Sequence, residues 1–386
     1  MMPMQKKILF CATVDYHFRL FHLPYFKWFK EKGWEVHVAA SGNDKLPYVD
    51  KKYTIPIQRS PLDKKNIEAF KALKLLIQEN QYNIVHSHTP VGGVLARLAA
   101  RNARKHQTRV IYTAHGFHFC KGAPWRNWAI YYPIEKWLSR FTDCLITINE
   151  EDYQLAVTHQ FRSGHIEHVH GVGVDTNIFF PVNQFQKSVL RAEHHYLNDA
   201  FLMFYAAEFN HNKNQKILIE ALSLIKEQLP NARLLLAGTG PKLEECQKLS
   251  VDLGVDDMVK FLGYRKDIES LLKLSDVAVA SSFREGLPVN IMEAMACGLP
   301  VIAMDNRGHR ELVINGKNGW IVGNDPNEIS QRMMALAQNQ ELKNIFGIYS
   351  RKLIQDKYNL AKTLEEQSKI YERFMGDMEE AKWAVQ

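Results

Sequence analysis

Runs of apolar and β-branched residues recur along the chain between longer stretches in which apolar positions follow helical spacing. This alternation is typical of βαβ units, in which helices cover both faces of a parallel sheet. An irregular polar stretch interrupts it near the middle of the chain, so the pattern predicts two successive doubly wound sheets of the α/β class. The predicted strands are Lys7–Val14, Glu35–Ala40, Asn83–His88, Val110–Thr113, Cys144–Ile148, His168–His170, Phe201–Ala206, Arg233–Ala237, Val259–Leu262, Val277–Ala280 and Pro300–Ala303.

The boundary between the two predicted domains lies at a segment marked by glycine and proline, Gly171–Pro181, which leads into the irregular polar segment Val182–Asn198. A length of 386 residues fits two domains of common size. We therefore predict a Rossmann-like N-terminal domain over residues 1–181 and a Rossmann-like C-terminal domain over residues 182–386. The last helix, about 365–386, is a candidate for packing back on the N-terminal domain.

Composition places the chain among folded globular proteins, since 46% of its residues are hydrophobic and 24% are charged. The formal charge of +7 is uneven: residues 1–180 carry a net +9, together with 12 of the 16 histidines, and the remainder carries −2. A basic half favours an anionic partner. The five scattered cysteines form no Cys-x-x-Cys pair, which argues against a structural zinc site and favours a reducing compartment. No uninterrupted apolar stretch reaches the ~18 residues of a spanning helix, so any membrane contact is expected at the surface.

The densest motif is the string 281–303, in which a predicted strand ends in small polar residues and Glu285 and Gly286 form a turn. Pro288 stands where a helix would begin, and the free N–H groups of a helix N-terminus favour a phosphate. Glu285 and Glu293 are eight positions apart, so both carboxylates would share one face if the helix covered the interval. Two spaced carboxylates could bind two polyols, such as a sugar and a ribose. The alternative is an acidic residue favoured by the helix dipole plus a solvated glutamate.

Two other loops follow predicted strands of the second half. Gly238 and Gly240 form a Gly-x-Gly turn, but Leu243 stands where a dinucleotide fingerprint has its third glycine. The turn is therefore either a ligand loop or simply a tight connection. Lys213 is either a solvated charge or the cation that a departing diphosphate requires, because the sequence contains no Asp-x-Asp that would hold a divalent metal for that purpose.

In the first half, Arg19–Lys32 and Lys121–Phe141 interleave aromatic with basic side chains. This composition suits the interface of an anionic membrane, although aromatics at helical spacing also pack in cores. Nucleic acid is not expected as a partner because no recognisable binding module is present. His115 follows a predicted strand, where a single histidine is either structural or part of a site.

The string that begins Glu285-Gly-Leu-Pro and continues Glu293-Ala-Met-Ala-Cys-Gly-Leu-Pro resembles the retaining glycosyltransferase family 4 of the GT-B fold, and the resemblance extends over essentially the whole chain. The first half resembles the subgroup that acts in bacterial capsule and exopolysaccharide assembly, the EpsD-like and CapM-like proteins. The segments that carry this second resemblance are Ala12–His17, Phe21–Tyr25, His86–Gly93 and Tyr112–Phe119.

The resemblance implies two Rossmann-like domains facing across a cleft, with a nucleotide-sugar donor bound mainly by the second. Glu285 would face the transferred sugar, Glu293 would accept hydrogen bonds from the ribose hydroxyls, and Lys213 would bind the diphosphate. His115 would enter the sugar site from the first domain. One departure is Glu208, which occupies a position where many members have an arginine. The other residues implied to contact ligand are Gly286, Leu287, Pro288, Gly238, Gly240, Tyr264, Arg265, Arg284, and, in a first-strand loop that lacks the common Gly-Gly, Asp15 and His17.

These expectations together describe a hexosyl- or N-acetylhexosaminyl-transferase. It would move a sugar from a nucleotide-diphosphate donor, UDP being favoured, to a lipid-linked oligosaccharide with retention of anomeric configuration. No metal and no cofactor are expected, and the enzyme would sit at an anionic membrane surface, on the cytoplasmic face of the cell membrane. The alternatives are another GT-B chemistry, such as nucleotide-sugar epimerisation, and a catalytically silent partner subunit, which Glu208 keeps open.

Overall fold

The computed structural model describes residues 5–383, which form two compact units. The first unit comprises the described residues of Met1–Val172 and Thr363–Gln386, and the second comprises Gly173–Lys362. The division between them precedes Pro181, and the chain returns to the first unit at Thr363. Each unit is built on one parallel sheet, which confirms the prediction of two doubly wound α/β sheets.

The first unit contains, among the described residues, a seven-stranded parallel sheet in the order β3-β2-β1-β4-β5-β6-β7. Its strands are β1 (Lys7–Val14), β2 (Glu35–Ser41), β3 (Lys51–Thr54), β4 (Ile84–His88), β5 (Arg109–Ala114), β6 (Cys144–Thr147) and β7 (His165–His168). Its helices up to residue 172 are α1 (Tyr16–Phe21), α2 (Leu23–Glu31), α3 (Lys65–Asn80), α4 (Pro90–Ala100), α5 (Trp125–Leu138) and α6 (Glu150–Thr158).

The second unit contains a six-stranded parallel sheet, again counted over the described chain, in the order β10-β9-β8-β11-β12-β13. Its strands are β8 (Phe201–Ala206), β9 (Ala232–Ala237), β10 (Val259–Gly263), β11 (Val277–Ala280), β12 (Val301–Met304) and β13 (Gly319–Val322). The helices are α7 (Gln184–Glu193), α8 (Gln215–Ser223), α9 (Leu243–Asp252), α10 (Ile268–Leu274), α11 (Val289–Ala296), α12 (Arg307–Leu312), α13 (Pro326–Gln338) and α14 (Gln340–Leu353). The last helix, α15 (Leu360–Trp383), begins at the end of this unit and belongs to the first unit from Thr363 onward.

The core of the first unit lies on both faces of its sheet. Alternate residues of β1 pack on opposite sides: Phe10 belongs to one buried cluster and Leu9 to the other. The cluster around Phe10 also contains Tyr371 and Phe374 from α15, so the C-terminal helix covers the sheet of the first unit. Burial of such large apolar side chains stabilises the fold by about 1.5–3 kcal/mol each.

The structure differs from the sequence expectation at four elements. β3 and β13 were not predicted; both are short edge strands with partly exposed side chains. The strand predicted at His168–His170 lies at His165–His168. The segment predicted to be irregular, Val182–Asn198, contains α7, whose first turn is closed by a capping box between Asn183 and Gln186.

The strand order reverses once in each sheet, and this reversal fixes where a ligand can bind. In the first unit it falls between β1 and β4, and in the second between β8 and β11. Loops that leave neighbouring strands in opposite directions open a crevice at the carboxyl edge of the sheet, where ligands of this architecture bind. We call these positions the first and the second switch point. None of the described helices is both long and apolar enough to cross a membrane.

Candidate active site

The second switch point is occupied by an ion pair. Lys213 lies in the loop after β8 and Glu285 in the loop after β11, and Lys213 Nζ is 2.5 Å from Glu285 Oε1. About a fifth of each side chain is exposed, 22% for Lys213 and 16% for Glu285. The two residues singled out separately in the sequence therefore meet at the edge of one sheet.

Backbone contacts join the two loops that carry this pair. The Lys213 amide donates to Asn210 Oδ1 at 3.0 Å, and the Lys213 carbonyl accepts from Ser281 Oγ at 2.7 Å. The Phe283 amide donates to the Asn212 carbonyl at 2.8 Å. The lysine and the glutamate thus sit on loops that support each other, which restricts their positions before any ligand binds.

The start of α12, which follows β12, also contacts the loop that carries Glu285. Arg307 is 9% exposed and its Nε donates to the Glu285 carbonyl at 3.1 Å. Asn306 Nδ2 donates to the Ser282 carbonyl at 2.8 Å. A Cβ added at Gly308 would lie 2.8 Å from the Glu285 Cβ, so only glycine fits beside the loop without a shift. These three residues position Glu285.

The helix after Glu285 begins within one residue of the position that the motif predicted. α11 starts at Val289, with Pro288 at the capping position, and Glu285 lies in the preceding loop. The helix therefore does not cover the interval between Glu285 and Glu293, which was the condition for the two carboxylates to share one helix face. Glu293 lies on α11, where burial, with a further contribution from the charge of Glu269, raises its pKa from 4.5 to about 7.

Between Glu285 and α11, Gly286 and Leu287 form the bend that leads into the helix, and the Leu287 side chain is buried. Asn290, in the first turn, donates from Nδ2 to the Ala206 carbonyl at 2.9 Å and so ties the helix start to the end of β8. The start of α11 is therefore held at the second switch point, as a phosphate-binding helix would be.

Gly238 and Gly240 bring the loop after β9 against the loop after β8. Their φ angles are +144° and +150°, and a Cβ would lie 2.0 Å from the Ala207 carbonyl oxygen at Gly238 and 2.4 Å from the Phe209 carbonyl oxygen at Gly240. Both positions therefore require glycine for close backbone packing. This accounts for the turn without a ligand, and a ligand contact at the turn stays a prediction.

The remaining residues expected in the second unit lie on its surface or are already paired. Tyr264 follows β10 and is 75% exposed. The Arg265 guanidinium forms two hydrogen bonds to Asp267, at 2.8 and 2.5 Å. Arg284 and Glu208 have exposed side chains. Contacts of Tyr264, Arg265 and Arg284 with a donor stay predictions.

The first switch point opens into a cavity of about 800 Å³. His17 and His115 line it, and most of the surface around them is apolar. The carboxylate of Asp15 accepts hydrogen bonds from Lys52 Nζ and, at 2.7 Å, from the Asp44 amide, and its contact with a ligand stays a prediction. Burial raises the pKa of Asp15, but these hydrogen bonds outweigh it and hold the pKa below 3.8.

Four histidines converge beside this cavity. His17, His22, His88 and His115 each offer one ring nitrogen, and these nitrogens lie within 4.8 Å of one another. Burial lowers the pKa of every member, to about 3 for His22 and about 4 for His115 and well below 6.5 for the other two. The rings are therefore neutral at physiological pH. We call these four residues the histidine cluster.

The two aromatic and basic segments have different surroundings. In α2 the side chains of Phe26 and Phe29 are fully buried, so that segment packs in the core. In α5 the side chains of Trp125, Ile130 and Trp137 are 74%, 55% and 44% exposed. The aromatic side chains of α2 therefore pack in the core, which was the alternative to a membrane contact, whereas α5 presents an apolar surface.

Comparison with known proteins identifies the family. The family description "Glycosyl transferases group 1" matches residues 186–353, and "Glycosyl transferase 4-like" matches residues 7–149. The chain is 54% identical over 373 residues to the Bacillus subtilis (strain 168) protein named "Putative glycosyltransferase EpsD", covering 96% of this chain and 98% of that one. The chain belongs to the group 1 glycosyltransferases.

Two further comparisons extend this glycosyltransferase's relationships. It is 27% identical over 315 residues to the Escherichia coli "UDP-Gal:alpha-D-GlcNAc-diphosphoundecaprenol alpha-1,3-galactosyltransferase", covering 80% of this chain and 79% of that one. The structure of Anabaena Alr3699/HepE in complex with UDP and glucose superimposes with a TM-score of 0.79 at 19% identity, covering 96% and 100% of the two chains. The GT-B fold expected from the resemblance is thereby confirmed.

The sequence left two features of this glycosyltransferase without a signal of their own. Arg307 and Asn306 follow β12 in the same way that Lys213 follows β8, and that position is the signal that could have indicated them. In the histidine cluster, the sequence indicated His17 and His115 separately, but not that they meet His22 and His88. Their convergence has no signal in the sequence, because His17 and His22 are far along the chain from His88 and His115.

Proposed function

We propose that the enzyme transfers a sugar from a UDP-sugar to a hydroxyl of a lipid-linked oligosaccharide, with retention of anomeric configuration, during assembly of a capsule or exopolysaccharide. The E. coli relative supports the substrate classes, since its name gives UDP-Gal as the donor and a GlcNAc-diphosphoundecaprenol as the acceptor. The UDP in the Anabaena structure supports the same nucleotide.

The observation that carries the proposal is the Lys213–Glu285 pair at the second switch point. In the free enzyme each group neutralises the other at 2.5 Å. A donor diphosphate would separate this pair. Its oxygens would bind Lys213, and the Glu285 carboxylate would then accept hydrogen bonds from sugar hydroxyls. The N-terminus of α11 adds partial positive charge for the diphosphate, and Glu293 accepts hydrogen bonds from the ribose.

In the proposed reaction the bond between the anomeric carbon and the diphosphate oxygen breaks, and a bond to the acceptor oxygen forms on the same face. The acceptor proton moves to the departing diphosphate oxygen, so atoms and charge balance without an added base. Lys213 stabilises the negative charge that develops on the leaving group. Because a fixed cation and a helix N-terminus supply that stabilisation, we propose that the diphosphate requires no metal ion.

The first unit supports an acceptor with an apolar part. Tyr16, Phe117 and Ile134 line the cavity of about 800 Å³, and Ile134 lies on α5, the helix with the exposed tryptophans. We propose that this basic unit contacts the anionic cytoplasmic face of the membrane and receives the acceptor there. Contact of His115 with the transferred sugar stays a prediction.

The test is turnover of UDP-sugars by the full-length enzyme with a lipid-linked acceptor. Lys213→Ala and Glu285→Ala should each lower turnover by about 10²–10³, the usual loss when a preorganised electrostatic group is removed. Lys216→Ala is the matched control, because Lys216 is 55% exposed on the neighbouring helix and pairs only with Glu220 among the ion pairs of the described chain. NMR of the product should show the anomeric configuration of the donor.

Three outcomes would contradict the proposal. Wild-type turnover in both site variants would show that the pair is not the donor site. An isomerised donor formed without acceptor would indicate an epimerase. Absence of UDP release with every UDP-sugar and a membrane extract as acceptor would indicate the catalytically silent subunit.

A further inference from the structure

We propose that the histidine cluster, formed by His17, His22, His88 and His115, is a binding site for one divalent transition-metal ion of the Zn²⁺ class. The inference concerns the first unit and does not depend on the proposed function. It also does not alter the proposal for the diphosphate, which concerns Lys213 and α11.

The first argument is that three of these rings each keep a buried nitrogen without a hydrogen-bond partner. Among the described residues, these atoms are His17 Nε2, His22 Nδ1 and His88 Nε2. The other nitrogen of His88, Nδ1, forms a hydrogen bond with His115 Nε2 at 3.2 Å. A buried polar atom without a partner is costly, so three of them in one place point to a ligand.

Other buried histidines of the same unit are satisfied, which makes the cluster exceptional. His86 is two residues from His88 on β4, and its ring nitrogens bond Tyr371 Oη at 2.7 Å and Thr113 Oγ1 at 2.8 Å. His37 bonds Tyr82 Oη and Glu35 Oε1, both at 2.7 Å. Both ring nitrogens of these two histidines therefore have partners, whereas three rings of the cluster each keep one buried nitrogen without a partner.

The second argument is the geometry of the ring nitrogens. Four nitrogens bound to Zn²⁺ at 2.0–2.1 Å in a tetrahedron are about 3.3 Å apart. In the structure the four offered nitrogens all lie within 4.8 Å of one another. Small rotations of the side chains would close the set around an ion.

The backbone holds the ligands at the first switch point. His22 joins α1 to α2, and His88 ends β4. The next residue, Thr89, has φ 63° and ψ 150°, a conformation that only glycine adopts readily. Its Oγ1 accepts from the Thr13 amide at 3.0 Å and contacts Thr13 Oγ1 at 2.8 Å, which fixes the loop after β4 against the end of β1.

The four imidazole side chains indicate the class of ion that the cluster would bind. Four imidazoles without a carboxylate suit Zn²⁺, Cu²⁺, Ni²⁺ or Co²⁺, whereas Ca²⁺ and Mg²⁺ require oxygen ligands. His17 and His115 line the large cavity, which provides an entry path for the ion. A ring that binds the ion through Nε2 keeps Nδ1 for another hydrogen bond, so metal binding and a sugar contact at His115 are compatible.

The experiment uses the full-length protein with a histidine-free purification tag, stripped by chelator and titrated with Zn²⁺ or Co²⁺ alone. Bound metal per chain is measured by mass spectrometry of the elements, and the Co²⁺ form by visible absorption. We expect one ion per chain, the intense absorption of tetrahedral Co²⁺, and a Tm that rises with metal concentration as binding to the folded state requires.

Variants distinguish the site from general metal binding. His22→Gln and His88→Gln should each weaken binding by more than the ~10–100-fold that loss of an outer hydrogen-bond partner costs. The same loss of metal binding is expected of His17→Gln and His115→Gln. These two residues are less buried, so their variants still test the proposal if circular dichroism shows that His22→Gln and His88→Gln do not fold. His86→Gln, equally buried, should bind metal as the wild type does.

Three results would overturn the proposal. One is a wild-type protein that retains no Zn²⁺ or Co²⁺ after dialysis. Another is binding that is unchanged in His17→Gln and His115→Gln but lost in His170→Gln, which would place the ion at a surface histidine. An octahedral Co²⁺ spectrum would count against the four-imidazole set in the same way.

Discussion

The two sheets place opposite chemistry at the same topological position. At the second switch point a lysine and a glutamate form an ion pair at 2.5 Å, held by loops from β8 and β11. At the first switch point four neutral imidazoles converge beside an apolar cavity, on loops from β1, β4 and β5. A shared architecture therefore fixes where a ligand binds, and the loop residues decide which ligand it is.

The two sites differ because one carries two opposite charges and the other carries none. An ion pair can exchange partners with a charged ligand because both of its groups are already compensated before the ligand arrives. Buried neutral rings have no charge to exchange, and their lone pairs suit a cation or a hydroxyl donor. We therefore expect variants at the second switch point to affect donor turnover most and variants at the first to affect metal binding.

The largest effect is expected from combining Lys213→Ala with Glu285→Ala. Each single change should lower turnover by about 10²–10³. Because the two side chains contact each other, the double variant should lose much less than the product of the single losses. A double-mutant cycle on kcat/KM measures this coupling. Strictly multiplicative losses would mean that the two residues act at separate sites.

A second prediction concerns the backbone that supports the second switch point. Gly238→Ala places a Cβ 2.0 Å from the Ala207 carbonyl oxygen at φ +144°. Strain of this kind costs about 1–3 kcal/mol and overpacking a further ~1–3 kcal/mol, so Tm should fall by several degrees. Gly376→Ala is the control, since a Cβ there meets open space and should leave Tm unchanged or raise it. An equal effect of the two changes would show that the loops of β8 and β9 do not pack as described.

A third prediction uses the raised pKa of Glu293. A carboxyl with a pKa of about 7 in the folded state and 4.5 otherwise contributes stability that is complete below about pH 4.5 and is lost as the pH rises through 7. Glu293→Gln has no such dependence. Without nucleotide, the wild type should therefore lose up to about 3 kcal/mol relative to this variant between pH 4.5 and pH 8. Parallel pH profiles in thermal unfolding would show that the carboxyl is solvated.

The smallest effect is expected at α5. Trp125→Ala combined with Trp137→Ala should weaken binding to anionic vesicles severalfold, because two exposed aromatic side chains are removed from the basic unit. Phe185→Ala, 75% exposed on α7 of the second unit, should leave vesicle binding unchanged. Sedimentation with vesicles of anionic lipid measures both. A larger loss in Phe185→Ala would place the membrane contact on the second unit.

The strands predicted most accurately from the sequence are the central strands of each sheet. Central strands such as β1 and β8 are buried on both faces and appear as continuous apolar runs, and the structure places them where predicted. The edge strands β3 and β13 were missed because their side chains are partly exposed. α7 was missed because its sequence is polar, and its start depends on a capping box rather than on an apolar run.

The candidate site divides in the same way. Lys213 and Glu285 could be predicted because each lies in a strand-to-helix loop of a recognisable motif. Their 2.5 Å contact could not be predicted without the strand order, which makes β8 and β11 neighbours. The histidine cluster likewise could not be predicted as a group without the strand order, because His88 and His115 are far from His17 and His22 in the sequence. Arg307 likewise acts through a loop that only the sheet order brings to Glu285.

The central claim is that the second switch point binds the donor diphosphate, and UDP affinity tests it most directly. Calorimetric titration of UDP into the metal-free full-length enzyme should give binding that Lys213→Ala weakens by at least about tenfold, as loss of a hydrogen bond to a charged group does. Lys216→Ala should match the wild type. Equal UDP affinity in wild type and Lys213→Ala would contradict the claim.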